Sequence, residues 1–227
     1  MKKTTLLALL LITEVALGQS EKWTSLFDGK SLAGWHNYNK TGEISNKWVV
    51  EEASIHLTGS GGGDLVSDAE FENFVLEIEW KISEGGNSGV MWGVQEDKKY
   101  FAPWVTGPEM QVLDDAKHPD SFAGKNGNHK AGALYDMVPP SRLDAVKPAN
   151  EWNKAKMTIN HKTNEGIFEL NGVKTAQFKL SGPEWDALKQ DSKFKPMAGF
   201  GSFAKGKIAI QDHGDKVWFR NIRIKSL

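Results

Sequence analysis

The stretch Asn73-Phe74-Val75-Leu76-Glu77-Ile78-Glu79-Trp80-Lys81-Ile82 decides the fold class. Phe74, Leu76, Ile78, Trp80 and Ile82 alternate with Val75, Glu77, Glu79 and Lys81. A period of two puts successive side chains on opposite faces, which predicts a half-buried strand. Gly85-Gly86-Asn87-Ser88-Gly89 then turns the chain into Val90-Met91-Trp92-Gly93-Val94-Gln95, a second strand. Working outward, residues 47–51, 54–58, 109–113, 131–137, 154–160, 166–170, 173–180, 206–213 and 216–224 read as further strands. Asn171-Gly172 between two of them signals a hairpin with a type I′ turn. One short helix is expected near 183–190, opened by Pro183 after Gly182. Crossover helices are missing, which excludes a parallel α/β sheet. The prediction is an all-β chain of two packed antiparallel sheets, a sandwich or jelly roll.

The 227 residues carry 28 Lys and Arg against 29 Asp and Glu, with both signs interspersed. That balance argues against a dedicated nucleic-acid or anionic-membrane surface. The absence of Cys excludes disulfides and zinc-thiolate sites. Lys2 and Lys3 precede the apolar run Leu6 to Ile12, and Ala16-Leu17-Gly18 supplies a small-x-small site. Residues 1–18 are therefore expected to be a secretory signal peptide cleaved before Gln19, with 19–227 as one domain. The run is far short of the ~20 residues needed to span a bilayer, so no membrane attachment is expected after cleavage. The expected location is secreted or periplasmic.

Strand alternation also sorts polar residues by face. Glu109 and Gln111 point away from Met110 and Val112, and Gln211 and His213 point away from Ile208 and Ile210. If both strands join one sheet, these four residues line a common polar surface, subject to any bulge. Asp114, Asp115, His118 and Asp120 sit in the loop beyond, within the turn-rich segment 96–130. A carboxylate and an imidazole exchange protons near neutral pH, and amides pair with hydroxyls, a set suited to sugar chemistry. Trp35, Trp92 and Trp104 offer flat faces for a sugar ring, although Trp in a sandwich is more often core. The donors around Asp114–Asp120 and in Asp212-His213-Gly214-Asp215 fit no zinc or EF-hand spacing. No phosphate-cradling loop, nucleophile elbow or dinucleotide fingerprint is present.

Several motifs together resemble the 3-keto-disaccharide hydrolase domain family of secreted bacterial proteins. They are Leu26-Phe27-Asp28-Gly29-Lys30, Gly62-Gly63-Asp64-Leu65, Gly86-Asn87-Ser88-Gly89, Gly107-Pro108-Glu109-Met110-Gln111-Val112-Leu113-Asp114, His118-Pro119-Asp120 and Ala131-Gly132-Ala133-Leu134-Tyr135-Asp136. The ending Gln211-Asp212-His213-Gly214-Asp215-Lys216-Val217-Trp218-Phe219-Arg220-Asn221-Ile222 is the most specific. The resemblance runs from about Trp23 to Leu227 and implies a concanavalin-like jelly roll. It implies cleavage of glycosides already oxidised to a ketone at C3, by proton removal at C2 and elimination at C1, with or without addition of water. Glu109 and His213 are then the expected proton-transfer pair. Gln111, Gln211, Asp114 and Tyr135 would hold hydroxyls, His118 or Arg220 would support the carbonyl, and Trp104 would stack on the ring. Some relatives use a divalent metal ion as Lewis acid, so a metal is a possible cofactor. Two alternatives stay open: an ordinary glycoside hydrolase with a carboxylate pair, and a non-catalytic carbohydrate-binding module.

Overall fold

The computed structural model describes residues 22–227, so the expected signal peptide lies outside the described residues. Thirteen strands and one α-helix follow in chain order. They are β1 (Thr24–Ser25), β2 (Trp35–Asn37), β3 (Trp48–Glu51), β4 (Ser54–Leu57), β5 (Leu65–Phe71), β6 (Phe74–Ile82) and β7 (Asn87–Val94). Then come β8 (Glu109–Leu113), β9 (Asn153–Asn160), β10 (Glu165–Leu170), β11 (Val173–Phe178), α1 (Pro183–Gln190), β12 (Gly206–Ile210) and β13 (Val217–Ser226). One sheet runs β11-β10-β9-β6-β13-β4-β3, with β1 added alongside β13; the other runs β2-β5-β12-β7-β8. The strand pairs within both sheets are antiparallel, so the architecture is the expected all-β sandwich.

The deciding stretch forms β6, near the middle of the larger sheet. Phe74, Leu76, Ile78, Trp80 and Ile82 are each at most 1% exposed, and Glu77, Glu79 and Lys81 face outward. Burying such side chains contributes about 1.5–3 kcal/mol each, which makes this register hard to slip. Trp35 and Trp92 belong to the same core: Trp92 packs against Phe168 and Phe178, and Trp35 donates its indole N–H to Leu26. Neither is a sugar platform. The Asn171-Gly172 hairpin is present, with both residues at positive φ (52° and 83°), as a type I′ turn requires.

The strand expected over 131–137 does not form. Gly132 and Asp136 both take positive φ, and only Leu134 makes isolated bridges, to Met110 and Val138. The segment still covers the free edge of β8: Gln111 N–H donates to Ala133, Gly132 N–H to Gln111 and Tyr135 N–H to Glu109. An edge strand closed in this way is protected from pairing with another chain. The strand expected over 206–213 ends at Ile210, because Asp212 turns the chain by accepting from Gly214 N–H. Among the described residues no helix is long and apolar enough to cross a membrane.

Candidate active site

The outward face of the smaller sheet carries two cross-strand rows. Glu109 pairs with Met91, Met91 with Ala209 and Ala209 with Val66. Gln111 pairs with Gly89, and Gly89 accepts a backbone hydrogen bond from Gln211. The first row is apolar beyond Glu109, and Tyr38, Val66, Met91, Val94 and Ala209 form a small cluster on which Trp104 packs. The second row is polar. Across both opens a cavity of about 190 Å³ lined by Asn87, Trp104, Glu109, Gln111, Tyr135, Lys193, Gln211 and His213.

Glu109 enters this cavity from β8 and is only 4% exposed. Its carboxyl lies over Gly89, where any Cβ would overlap it. Among the described residues that carboxyl accepts no hydrogen bond. Burial, the largest influence, pushes its pKa up to about 8; the Lys193 ammonium opposes this and the Asp64 and Asp120 carboxylates add to it. Gln111, 1% exposed, donates from Nε2 to Asn87 Oδ1 at 3.3 Å.

Tyr135 belongs to a chain of polar contacts behind the cavity. Its hydroxyl donates to Asp120 Oδ2 at 2.9 Å, and His129 bridges Asp120 (2.8 Å) and Asp136 (2.9 Å). Burial raises the Asp120 carboxyl, but the bonds from His129 and Tyr135 outweigh it and hold Asp120 below its ordinary range. Burial, then Asp120, push the Tyr135 hydroxyl well up, so it stays a donor. Asp136 Oδ2 also accepts from Lys193 N–H at 2.7 Å, which ties the network to the loop after α1.

A corner of donors adjoins the polar row. One ligand atom from each of His118, His213 and Asp215 lies within 4.8 Å of the others, and the two imidazoles meet edge to face at 5.7 Å. Asp215 Oδ2 accepts from Asn87 N–H at 3.0 Å, and His118 Nδ1 accepts from Asp120 N–H at 3.1 Å. The corner is braced by Asp212, whose oxygens accept from Gly63 N–H (2.7 Å) and Gly214 N–H (2.8 Å). Asp212 N–H in turn donates to Asp64 Oδ1 at 2.9 Å, and burial raises the Asp64 carboxyl to about 6. Two imidazoles and a carboxylate with open positions suit a divalent first-row metal, so this corner fits the metal that the family resemblance implies.

Of the residues singled out from sequence, Trp104, Glu109, Gln111, Tyr135, Gln211 and His213 meet at one cavity, and His118 reaches it through His213. Asp114 does not. It is buried, accepting from Gly85 N–H (2.7 Å) and Ala116 N–H (3.1 Å), and so fixes a turn. Arg220 lies on the outer face of the larger sheet, donating to Glu79 at 2.8 Å and covering the Trp152 ring at 3.9 Å. It therefore supports no carbonyl here. Lys193 had no pattern to mark it, since it sits in an irregular loop; Asn87, at the start of β7, lies within the Gly86-Asn87-Ser88-Gly89 motif but was not singled out as a site residue.

A family profile described as "3-keto-alpha-glucoside-1,2-lyase-like domain" matches residues 22–225. The 3-keto-disaccharide hydrolase of Bacteroides thetaiotaomicron is 39% identical over 234 residues, covering 92% of this chain and 79% of that protein. A Parabacteroides distasonis protein whose glycosyl hydrolase designation is provisional superposes with a TM-score of 0.82 at 34% identity, over 96% of this chain and 98% of the other. A second structure from that organism, with the same provisional designation, gives 0.67 at 27%, over 91% and 100%. The chain belongs to the 3-keto-alpha-glucoside-1,2-lyase-like domain family.

Proposed function

We propose that the cavity binds the C3-oxidised ring of a 3-keto-glycoside and cleaves its glycosidic bond by elimination. A ketone at C3 acidifies the hydrogen on C2, so a carboxylate suffices as base where an ordinary sugar would resist. The observation that carries this reading is Glu109: a buried carboxyl, raised toward neutral pH and accepting no hydrogen bond among the described residues, facing a small polar cavity. Such a group is matched to proton abstraction near pH 7–8. Gln111, Gln211 and Asn87 offer amides to the ring hydroxyls and Trp104 offers a ring face.

His118, His213 and Asp215 would hold the divalent metal. When bound, such an ion polarises carbonyl oxygen as a Lewis acid. Membership of this corner separates His213 from the proton-transfer role expected from sequence and leaves Glu109 as the base. An ordinary retaining or inverting hydrolase needs a second carboxylate roughly 5–9.5 Å away across the scissile bond. Among the described residues Glu109 is the only carboxylate lining the cavity, which favours elimination. The leader-like N-terminus supports action in the periplasm or outside the cell.

The test is to supply the purified protein with a 3-keto-disaccharide and with its unoxidised parent, and to identify products by mass spectrometry. Cleavage of the 3-keto compound alone is expected. The same spectra distinguish an unsaturated keto sugar from its hydrated form, one water heavier. Turnover of the unoxidised parent at a comparable rate would overturn the proposal.

A further inference from the structure

Strand register divides the cavity into two ends. Asn87, Gln111, Gln211 and His213 gather at the end nearer the metal-type corner, along the polar row. Glu109 begins the other row, where Trp104 packs, and Tyr135 is tied to its carbonyl. Lys193 stands at this second end. Its main chain is fixed: its N–H donates to Asp136 Oδ2, and the next residue, Phe194, is 1% exposed and stacked on Phe200 at 3.8 Å. Phe200 stacks in turn on Trp185 of α1. The loop that delivers Lys193 is therefore anchored in the core.

The ammonium itself lies 4.2 Å from the Tyr135 ring, 5.3 Å from Phe194 and 5.9 Å from Trp104. Aromatic faces favour a cation and strip water from one side of it. Among the described residues this ammonium forms no ion pair and no hydrogen bond, although it lines the same cavity as Glu109. An ammonium donates and does not accept, so its three hydrogens are available to whatever fills the site.

We infer that Lys193 is the proton donor to the departing glycosidic oxygen, acting opposite Glu109. The role rests on the elimination proposed for this cavity. Glu109 takes the hydrogen from C2, and that C–H electron pair becomes the C1=C2 double bond conjugated with the C3 ketone. The C1–O pair leaves with the oxygen, which takes a proton from Lys193; the lysine becomes a neutral amine. One proton then passes through water from the Glu109 carboxyl to the Lys193 amine, which restores the carboxylate and the ammonium. The pairing gives the acid function to a residue that belongs to neither the metal-type corner nor the amide row.

The dependence on the leaving group tests this role. A nitrophenolate departs without protonation, whereas the alkoxide of a second sugar does not. In Lys193→Met, kcat/KM on a 3-keto-disaccharide should fall by about 10²–10⁴, while that on nitrophenyl 3-keto-glucoside falls less than about tenfold. Retained nitrophenyl activity also shows that the variant is folded. Lys193→Arg keeps the charge but gives up its proton too reluctantly to serve as acid, so it should not restore the disaccharide rate. Equal losses on both substrates, no loss on either, or rescue by Arg would overturn the role while leaving the elimination standing. A wild-type protein inactive on both substrates would remove the elimination and this role with it.

Discussion

The carboxyl of Glu109 rests above the bare Cα of Gly89, one strand away and on the diagonal of the β7–β8 ladder. Side chains at this spacing on neighbouring antiparallel strands meet easily. A missing Cβ is what lets the carboxyl lie flat against the sheet and face the cavity. Gly89→Ala should therefore displace the proposed base without removing it. Turnover of a 3-keto-glycoside is expected to drop about 100-fold or more, as misplacement by about an ångström commonly costs. The melting temperature should change by only a few degrees. A variant with near-normal turnover would show that the carboxyl works from another position.

Burial makes Glu109 hold its proton in the folded state well above the pH at which the unfolded chain releases it. Its folded pKa lies above its unfolded value, so between about 4.5 and about 8 the native state binds more protons. Stability contributed by this group is present at low pH and lost as pH rises through that window. Glu109→Gln cannot ionise and should escape the loss. Relative to wild type its melting temperature is expected to gain several degrees between pH 5 and pH 9, on the order of a few kcal/mol. If Glu109 is the base as proposed, activity should move the other way: wild-type kcat/KM should climb with pH toward 8 as Glu109 ionises, and Glu109→Gln should be inactive throughout. Thermal melts and rate profiles across that range check both limbs.

Much of the polar face was legible because two facts about strands do not depend on context. Alternation placed Glu109 beside Gln111 and Gln211 beside His213, and β7 joins their strands in one sheet. The bulge in β12 between Lys207 and Ala209 precedes Gln211, so Ala209 and Gln211 keep one face, whereas His213 reaches the cavity from the turn that follows the end of β12 at Ile210. Arg220 shows the limit of the same rule. Its outward direction on β13 was readable, but not that β13 lies in the opposite sheet, paired to Glu79. Asp114 failed for another reason, since a buried Asp that accepts backbone N–H groups looks identical in sequence to one that binds substrate. Lys193 is placed by aromatic stacking between α1 and a loop, which no periodicity encodes.

Asp136 does not itself line the cavity, yet it accepts from both His129 and the backbone of the lining residue Lys193, from a left-handed conformation (φ 58°). Asn tolerates that conformation, but its amide offers only one acceptor in place of two. Asp136→Asn should lower kcat on a 3-keto-disaccharide about tenfold with little change in KM, because Lys193 loses its anchor. Asp136→Ala should add a loss of stability of about 1–3 kcal/mol from the unpaired neighbours and the strained backbone. Equal kcat in wild type and Asp136→Asn would uncouple the network from the reaction.

Asp212 offers a test of the metal-type corner that spares its donors. The residue binds no ligand in this arrangement; it ties Gly63 to Gly214 and so sets where His213 and Asp215 stand. Residues that only orient ligands typically change metal affinity by 10–100-fold, whereas loss of a ligand lowers the number of donors itself. Treatment with a chelator should lower turnover, and adding back cobalt or manganese should restore it. Asp212→Ala is expected to need a 10–100-fold higher metal concentration for the same activity, with full rescue at saturation. His118→Ala or Asp215→Ala should fall short of wild type even at saturating metal. Isothermal titration with cobalt measures the affinities apart from catalysis. Unchanged turnover after chelation, together with no measurable binding of either metal, would reduce the corner to a hydrogen-bonded loop and return His213 to the pool of proton donors.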